Sequence, residues 1–422
     1  EINLDEHIAL PRIIPQGNTQ TITDAELGLL GHLIGDGCTL ARHTIQYTTR
    51  EYDLARTVAD LATSVFGEEI TPRIQKERNW YQVYLSSNRH HTHGTRSAVA
   101  EWLSELNIWD LRSYEKFVPT KVFTQPAKAK AIFLKHLWAT DGCIFASSSK
   151  APLAYYASSS EKLAKDVQTL LMHLGINAVL RTVPQSKGKT QYHVSVTGKL
   201  DLEIFMNSIG AVGEYKQGSI KEIQAKIESY HGNTNRDIVP NSIWRKAVVP
   251  AMQEINMTTR QMMAEIDTAY CGTSLYKQNV SRERLAKVAT AVQSETLTKL
   301  SESDLYWDKI VGLEIEEYEA EVFDLTVEKH HNFIANDIVV HNSIEQDADI
   351  VMFIYREDMY KAPGEADTGV AKILIKKHRN GPTGDIDLSF EGSKTTFSNL
   401  TSAFDTSPQA VMQSLEGNDD EI

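Results

Sequence analysis

The 422-residue sequence has few cysteines, no long apolar run and no glycine-rich phosphate-binding loop. Cys38, Cys143 and Cys271 form no CxxC pair, which excludes a disulfide framework and a paired zinc site and favours reduced, intracellular thiols. Because no run of 18 apolar residues occurs, no transmembrane helix is predicted, and no opening basic-then-apolar segment indicates a secretory signal. The missing glycine-rich loop argues against ATP hydrolysis by this chain alone.

The net charge of −13 is distributed unevenly along the chain. Residues 344–422 carry a charge of −8, whereas residues 241–300 carry +3. An acidic total would argue against a nucleic-acid partner. Because much of the acidity lies at the end of the chain, that argument does not apply to the rest.

A pattern of helices and strands occurs twice, with a spacing of about 105 residues. A first helix ends at Gly35-Asp36-Gly37, and a helix over 127–140 ends at Asp141-Gly142. Further elements are predicted as strands at 44–49, 80–85, 153–157 and 191–196 and as helices at 51–66, 97–106, 160–174 and 199–209. The repeat predicts a pseudo-two-fold domain.

Each copy carries an aspartate at the end of its first helix, Asp36 or Asp141. Small residues at Gly31, Gly35 and Ala139 would let the two helices pack closely and bring the carboxylates together. Two close carboxylates repel each other unless a divalent cation neutralises them, and oxygen ligands suit Mg²⁺. The pair predicts a metal site and metal-assisted phosphodiester hydrolysis. A single Asp-Gly would only be a helix stop.

Residues 20–230 resemble the LAGLIDADG homing endonucleases, which carry one such aspartate in each repeat. The resemblance implies Mg²⁺-dependent, site-specific cleavage of double-stranded DNA, with Asp36 and Asp141 as catalytic metal ligands. The family also carries a basic residue in a Lys-x-x-Pro element, matched by Lys116 and Pro119. Lys116 is therefore a candidate for electrostatic stabilisation, with Lys199 and Lys216 as secondary candidates. The alternative is an inactive endonuclease that only binds DNA.

Residues 231–303 have mostly helical patterns and a basic central part. Two helices, at 258–266 and 279–289, would suit a helix-turn-helix with Ser281 as the N-cap. Arg282 and Arg284 then lie in the first turn of the second helix, where recognition helices contact bases. The two arginines are candidates for DNA binding. The alternative is a small helical insert whose charges are only solvated.

The segment His341-Asn342-Ser343 has the chemistry of self-cleavage. The amide of Asn342 can attack its own backbone carbonyl, which forms a succinimide and breaks the bond to Ser343. His341 can act as the acid, and Ser343 offers a hydroxyl for acyl transfer. Asp324 and His331 are candidates for assisting proton movement.

Residues 304–343 resemble the C-terminal splicing blocks of inteins, and residues 3–12 resemble a segment that follows the Thr-x-x-His element of these proteins. The N-terminal nucleophile and that element are missing. We therefore expect the chain to begin inside an intein, to need a missing N-terminal portion, and not to splice in cis. It could still cleave at Asn342–Ser343 or splice in trans with a complementary piece. A natural split-intein half is the alternative to an incomplete sequence.

Residues from Ser343 onward resemble the C-terminal RecA-like domain of DnaB-type replicative helicases. The resemblance implies that Lys377 and Arg379 reach a nucleotide on a neighbouring subunit. It further implies that the complete helicase uses ATP and Mg²⁺ and forms a homohexamer on single-stranded DNA. The expected location is cytoplasmic and nucleoid-associated, in a bacterium or plastid, with no membrane partner.

The sequence thus predicts an α+β chain with a pseudo-two-fold endonuclease inserted in a partial all-β Hint fold, followed by part of a RecA-like α/β domain. The predicted domains are a Hint segment at 1–16, the endonuclease at 17–230, the helical insert at 231–303, the C-terminal Hint region at 304–342, the helicase segment at 343–405 and an acidic disordered tail at 406–422.

Overall fold

The computed structural model describes residues 3–88, 96–146, 151–186, 188–229, 237–314, 327, 330, 332–341, 349–356, 358, 368–378, 381–392, 394 and 396–399. The chain divides into two compact units. The first comprises Glu1–Tyr318 and Ile334–Val339, and the second comprises Glu319–Phe333 and Val340–Ile422. The architecture mixes α-helices and β-sheets, as the sequence predicts.

Two copies of one arrangement form the larger part of the first unit. The first copy consists of α1 (Asp24–Asp36), β2 (Gly37–Cys38), β3 (Gln46–Thr49), α2 (Tyr52–Phe66), β4 (Ile70–Glu77), β5 (Trp80–Ser87), α3 (Ala98–Glu105) and the short α4 (Thr120–Phe123). The second consists of α5 (Ala127–Leu137), β6 (Gly142–Phe145), β7 (Leu153–Ser158), α6 (Glu161–His173), β8 (Ala178–Val183), β9 (Gln191–Val196), α7 (Lys199–Ser208) and α8 (Glu214–Ser229). The sheet orders β2-β3-β5-β4 and β6-β7-β9-β8 are equivalent.

Each copy has four strands, whereas the sequence pattern predicted two. The strands β4 and β8 lie at sheet edges, beside β5 and β9 respectively. Edge strands tolerate proline and charge, and β4 contains Pro72 and has only Ile70 fully buried. The alternation of apolar residues is consequently weak in these strands. The short β2 and β6 directly follow Asp36 and Asp141.

The first helix of each copy packs against the other. Helix α1 begins with a capping box between Thr23 and Glu26 and is buried on nearly all sides. A β-carbon at Gly31 would lie 2.8 Å from both the Leu137 amide nitrogen and the Phe133 carbonyl oxygen. Glycine at this position therefore permits the close approach of α1 and α5.

Two paired strands that are far apart in the sequence enclose most of the first unit. Strand β1 (His7–Pro11) pairs antiparallel with β12 (Leu305–Lys309), with His7 opposite Lys309 and Pro11 opposite Leu305. The amide of Arg12 also donates to the Asp304 carbonyl over 2.7 Å. The segment of chain between β1 and β12 therefore starts and ends at the same small sheet.

A separate hydrophobic core, built around side chains such as Trp244, Met262 and Leu285, lies within residues 238–301. Its elements are β10 (Ile238–Val239), a π-helix (Trp244–Val248), α9 (Val249–Glu254), α10 (Thr259–Glu265), a 3-10 helix (Gly272–Lys277), β11 (Val280–Ser281), α11 (Arg282–Ala291) and α12 (Glu295–Ser301). Residues 266–281 separate α10 from α11. That connection is far longer than the three- or four-residue turn of a helix-turn-helix, so the predicted pairing of these two helices in such a motif is wrong.

The second unit contains a four-stranded antiparallel sheet. Its strands β15 (Ile350–Tyr355), β16 (Val370–His378), β17 (Gly384–Glu391) and β18 (Thr396–Asn399) follow one another in the sheet. The short strands β13 (Asn332–Ala335) and β14 (Ile338–His341) precede it along the chain. Every helix in the described ranges is too short or too polar to span a bilayer.

Candidate active site

Asp36 and Asp141 occupy equivalent places in the two copies. Asp36 is the last residue of α1, while α5 ends at Leu137 and a short turn leads to Asp141, so the second helix is shorter than predicted. The glycine after each aspartate starts a strand, with Gly37 opposite Tyr47 and Gly142 opposite Tyr156. The structure brings the two carboxylates close enough for the charge of Asp141 to act on Asp36.

The surroundings of the two carboxylates disfavour their charged forms. Both side chains remain accessible to solvent, yet the protein packed around them raises both pKa values. The pKa of Asp36 rises to about 7, first because of desolvation and second because of the negative charge of Asp141. Such a pair fits a divalent cation, which would relieve the repulsion. Among the described residues no third carboxylate, histidine or cysteine joins them in a metal-binding group.

Two buried lysines hold the ends of the two helices that lead to the aspartates. The Nζ atom of Lys116 donates to the carbonyls of Leu33 over 2.9 Å and of Gly37 over 2.7 Å. Lys216 donates to the carbonyls of Trp138 and Gly142 in the other copy. Both ammonium groups bind carbonyls before and after the aspartate and fix the turn that presents it.

The lysines also affect the charge of the site. Desolvation lowers the pKa of Lys116 and of Lys216 to about 8, although the nearby aspartates act in the opposite direction. The two positive charges in turn lower the pKa of both aspartates. Lys216 is thus the counterpart of Lys116. Lys199 begins α7 and lines a cavity with Arg12 and Tyr306 instead.

A chain of three polar side chains crosses the interface of α1 and α5, and the sequence pattern did not reveal it. His32 Nδ1 lies 3.2 Å from the Tyr47 hydroxyl, and His136 Nδ1 lies 3.0 Å from His32 Nε2. Desolvation lowers the pKa of both histidines. The only signal in the sequence is a histidine on each first helix, and nothing in the spacing shows that they meet.

The two arginines predicted to contact DNA have partners inside the protein. The guanidinium of Arg282 pairs with Asp237 over 2.8 Å and donates to the Ser301 and Ser303 carbonyls over 3.0 and 2.7 Å. Arg284 is only partly exposed, its Nη2 contacts the Met263 sulfur over 3.8 Å, and its guanidinium carbon lies 5.7 Å from the centre of the Trp244 ring. The structure therefore corrects the assignment of both residues to a DNA-contacting helix face.

Several other candidates lie outside the described residues, namely Asp324, His331, Asn342, Ser343 and Arg379. His341 is the last residue of β14 and is exposed. Lys377 lies on β16, opposite Val351 of β15.

Comparison with known families finds two matches. Residues 128–210 match the model of the LAGLIDADG-like domain. Residues 329–399 match the model of the DnaB-like helicase C terminal domain. The LAGLIDADG-like and the DnaB-like resemblances are thereby confirmed, each over the residues matched.

Similar curated proteins include replicative DNA helicases DnaB from Synechocystis, 55% identical over 95% of this chain and 46% of that protein, and from Nostoc, 56% identical with the same coverage. The chain spans about half the length of these relatives. The helicase DnaB of Haemophilus influenzae is 49% identical over 67 residues, 16% of this chain and 14% of that protein. A DNA gyrase polypeptide of Mycobacterium kansasii is 24% identical over 85% of this chain and 62% of that protein.

Among solved structures, the homing endonuclease I-DmoI in complex with DNA and Mn is similar at a TM-score of 0.31 and 15% identity, over 45% of this chain and 98% of that one. A solved ATPase domain is 42% identical over 14% of this chain and 20% of that one, at a TM-score of 0.13.

Proposed function

Because the chain is homologous to DnaB replicative helicases over 95% of its length and contains a LAGLIDADG-like domain, we propose that it joins intein and helicase segments at Asn342–Ser343. The intein segment would include a Mg²⁺-dependent, site-specific homing endonuclease. The helicase segment would begin at Ser343. These assignments combine three chemistries: DNA cleavage, peptide-bond cleavage and nucleotide binding.

The intein proposal rests on the share of this chain that aligns with each relative. Some DnaB helicases align with 95% of the chain, whereas that of Haemophilus influenzae aligns with only 16%. The gyrase polypeptide, which is a different kind of protein, aligns with 85%. An element inserted into some hosts and absent from others would produce this pattern. The pairing of β1 with β12 supports a second insertion, that of the endonuclease within the Hint fold, because the chain leaves and rejoins one sheet there.

For the endonuclease we propose that Asp36 and Asp141 hold Mg²⁺ through their carboxylate oxygens. When bound, the metal would activate water and stabilise the leaving oxygen of a DNA phosphodiester. The accessible position of both carboxylates allows a phosphate to approach. Lys116 would hold the turn that presents Asp36 and contribute positive potential for the scissile phosphate.

A plasmid cleavage assay tests this role. The substrate is the helicase gene from which the proposed inserted segment has been deleted, and double-strand cuts are scored with Mg²⁺ and with EDTA. We expect Asp36→Asn and Asp141→Asn each to abolish cutting while DNA binding persists. Asp24→Asn, at the opposite end of α1, is a charge-matched control. If the wild type binds but never cuts or nicks, the chain is a DNA-binding insert only.

For the splicing segment we propose cleavage at Asn342–Ser343. The side-chain nitrogen of Asn342 would form a bond to its own carbonyl carbon, and the bond from that carbon to the Ser343 nitrogen would break. His341 would donate the proton that the leaving amine takes up, and Asp324 and His331 would assist proton movement. With a complementary N-terminal piece, Ser343 would serve as the acyl acceptor in trans.

Mass spectrometry of the expressed chain tests the cleavage. We expect two fragments, with the succinimide mass on the first, and Asn342→Ala should give the intact chain only. Persistence of the intact mass in wild type, both alone and with an N-terminal intein piece, would contradict the proposal.

For the helicase segment we propose that Lys377 and Arg379 contact the nucleotide bound by a neighbouring subunit of a hexamer. A cation placed beside the transferred phosphate stabilises its developing charge. In the complete helicase, with ATP and Mg²⁺, Arg379→Ala should lower ATP hydrolysis and leave nucleotide binding nearly unchanged. An equal loss of binding would argue against a role in the transition state.

A further inference from the structure

The exposed cations of residues 238–301 fall into two groups. On α11 and α12, Lys287 and Lys299 pair with acidic residues one turn away, over 3.2 and 2.7 Å respectively. These pairs neutralise their charges on the helix surface. These two lysines therefore add little net positive potential to the surface.

The second group lies on the π-helix, on α10 and on the 3-10 helix. It consists of Arg245, Lys246, Arg260 and Lys277, all of them exposed. None of the four forms an ion pair with any residue in the described part of the chain. The acidic residues of these elements and their connections, Glu254, Glu265 and Asp267, are likewise in no such pair with them.

Two tyrosines hold the arginines of this group. The guanidinium carbon of Arg245 lies 5.1 Å from the centre of the Tyr276 ring, and that of Arg260 lies 5.0 Å from the Tyr270 ring. Both tyrosines belong to residues 270–277, so each arginine reaches the same short segment from a different helix. A guanidinium stacked on a ring keeps the donors at its edge available while losing conformational freedom.

We propose that Arg245, Lys246, Arg260 and Lys277 form a surface that binds the phosphates of double-stranded DNA. Cations without ion pairs in the described residues and with interleaved aromatic rings, on elements of net charge +1 in a chain of charge −13, are suited to a polyanion. Pre-ordered guanidinium forks match phosphate oxygens in particular. This surface is made of residues other than Arg282 and Arg284, and it requires neither Asp36 nor Asp141.

The test measures how duplex affinity depends on salt. The protein is the full chain with Asp36→Asn, in EDTA, so that no cleavage can occur. The probe is a fluorescent duplex of about 40 base pairs, and anisotropy gives Kd between about 50 and 200 mM salt. The test variant is Lys246→Gln with Lys277→Gln. Neither lysine side chain has a hydrogen bond or ion pair among the described residues, so the fold should be unaffected.

We expect the double variant to lower the slope of log Kd against log salt by about 1.8, because each phosphate contact contributes about 0.9. Arg245→Gln with Arg260→Gln should act similarly. The matched control, Lys287→Gln with Lys299→Gln, changes the net charge equally and should leave the slope unchanged. Equal slopes for test and control variants, with unchanged thermal melting, would overturn the proposal. Failure of the endonuclease proposal would not alter this comparison, which involves no catalysis.

Discussion

The Nδ1 atom of His136 lies 3.0 Å from Nε2 of His32, across the interface of the two helices that lead to the aspartates. Only one proton can lie between these nitrogens, so at least one imidazole must be neutral and accept it. His32 is fully buried, and its other nitrogen faces the Tyr47 hydroxyl. The two halves of the pseudo-two-fold domain therefore share a bond that depends on protonation.

Acidification should lower the free energy of unfolding because of this histidine pair. An unfolded histidine takes up its proton near pH 6.5, whereas desolvation lowers the pKa of native His136 to about 4. The unfolded state binds more protons between these values, so the free energy of unfolding falls as the pH drops from 6.5 towards 4. The loss from His136 is at most about 3 kcal/mol. Thermal melting at pH 7, 5.5 and 4.5 measures it.

His136→Gln is the matched variant, because glutamine cannot take up the proton. It should be less stable than wild type at pH 7 and show a smaller loss on acidification. The raised pKa of Asp36 has the opposite effect on the free energy of unfolding. That effect is present in both proteins, so it cancels in the difference between them. Parallel pH profiles for the two proteins would contradict this account.

The raised pKa of Asp36 should make metal binding depend on pH. Near and below pH 7 a proton occupies this carboxylate, because desolvation and Asp141 favour the neutral form. A cation must displace that proton. We expect the Mg²⁺ concentration for half-maximal cleavage to rise about fivefold from pH 7 to pH 6, and to change little above pH 8. A requirement for Mg²⁺ that stays constant from pH 6 to 8 would exclude Asp36 as a ligand.

Local features of the fold could be predicted, whereas features that depend on distant partners could not. The glycine after Asp36 is a signal within a few residues, and α1 ends where it indicates. The sequence predicts Lys216 only as a secondary candidate, because the carbonyls that it binds, those of Trp138 and Gly142, lie 78 and 74 residues earlier in the chain. Arg282 also depends on distant partners. Its place in the first turn of a helix predicted a side chain exposed to DNA.

Packing at Gly31 should control the distance between the two aspartates. A β-carbon there meets backbone atoms of α5 at 2.8 Å, and backbone cannot move aside easily. We expect Gly31→Ala to lower the free energy of unfolding by about 1–3 kcal/mol. Gly218→Ala on α8 is the control, because nothing lies within 4 Å of its β-carbon. That change should stabilise the helix by about 0.5–1 kcal/mol, so destabilisation by both, measured by urea unfolding, would contradict the packing argument.

Arg282 should contribute to stability and not to DNA affinity. Its guanidinium joins Asp237 to carbonyls at and just after the end of α12, and its side chain is only 13% exposed. Arg282→Lys keeps the charge but loses most of these bonds, and we expect unfolding to become easier by about 2–4 kcal/mol. Arg260→Lys, on an exposed arginine, should change stability by less than about 0.5 kcal/mol. If Arg282→Lys instead left melting unchanged and Arg282→Gln lowered the salt dependence of duplex binding, the arginine would face DNA, as its position at the start of a helix first suggested.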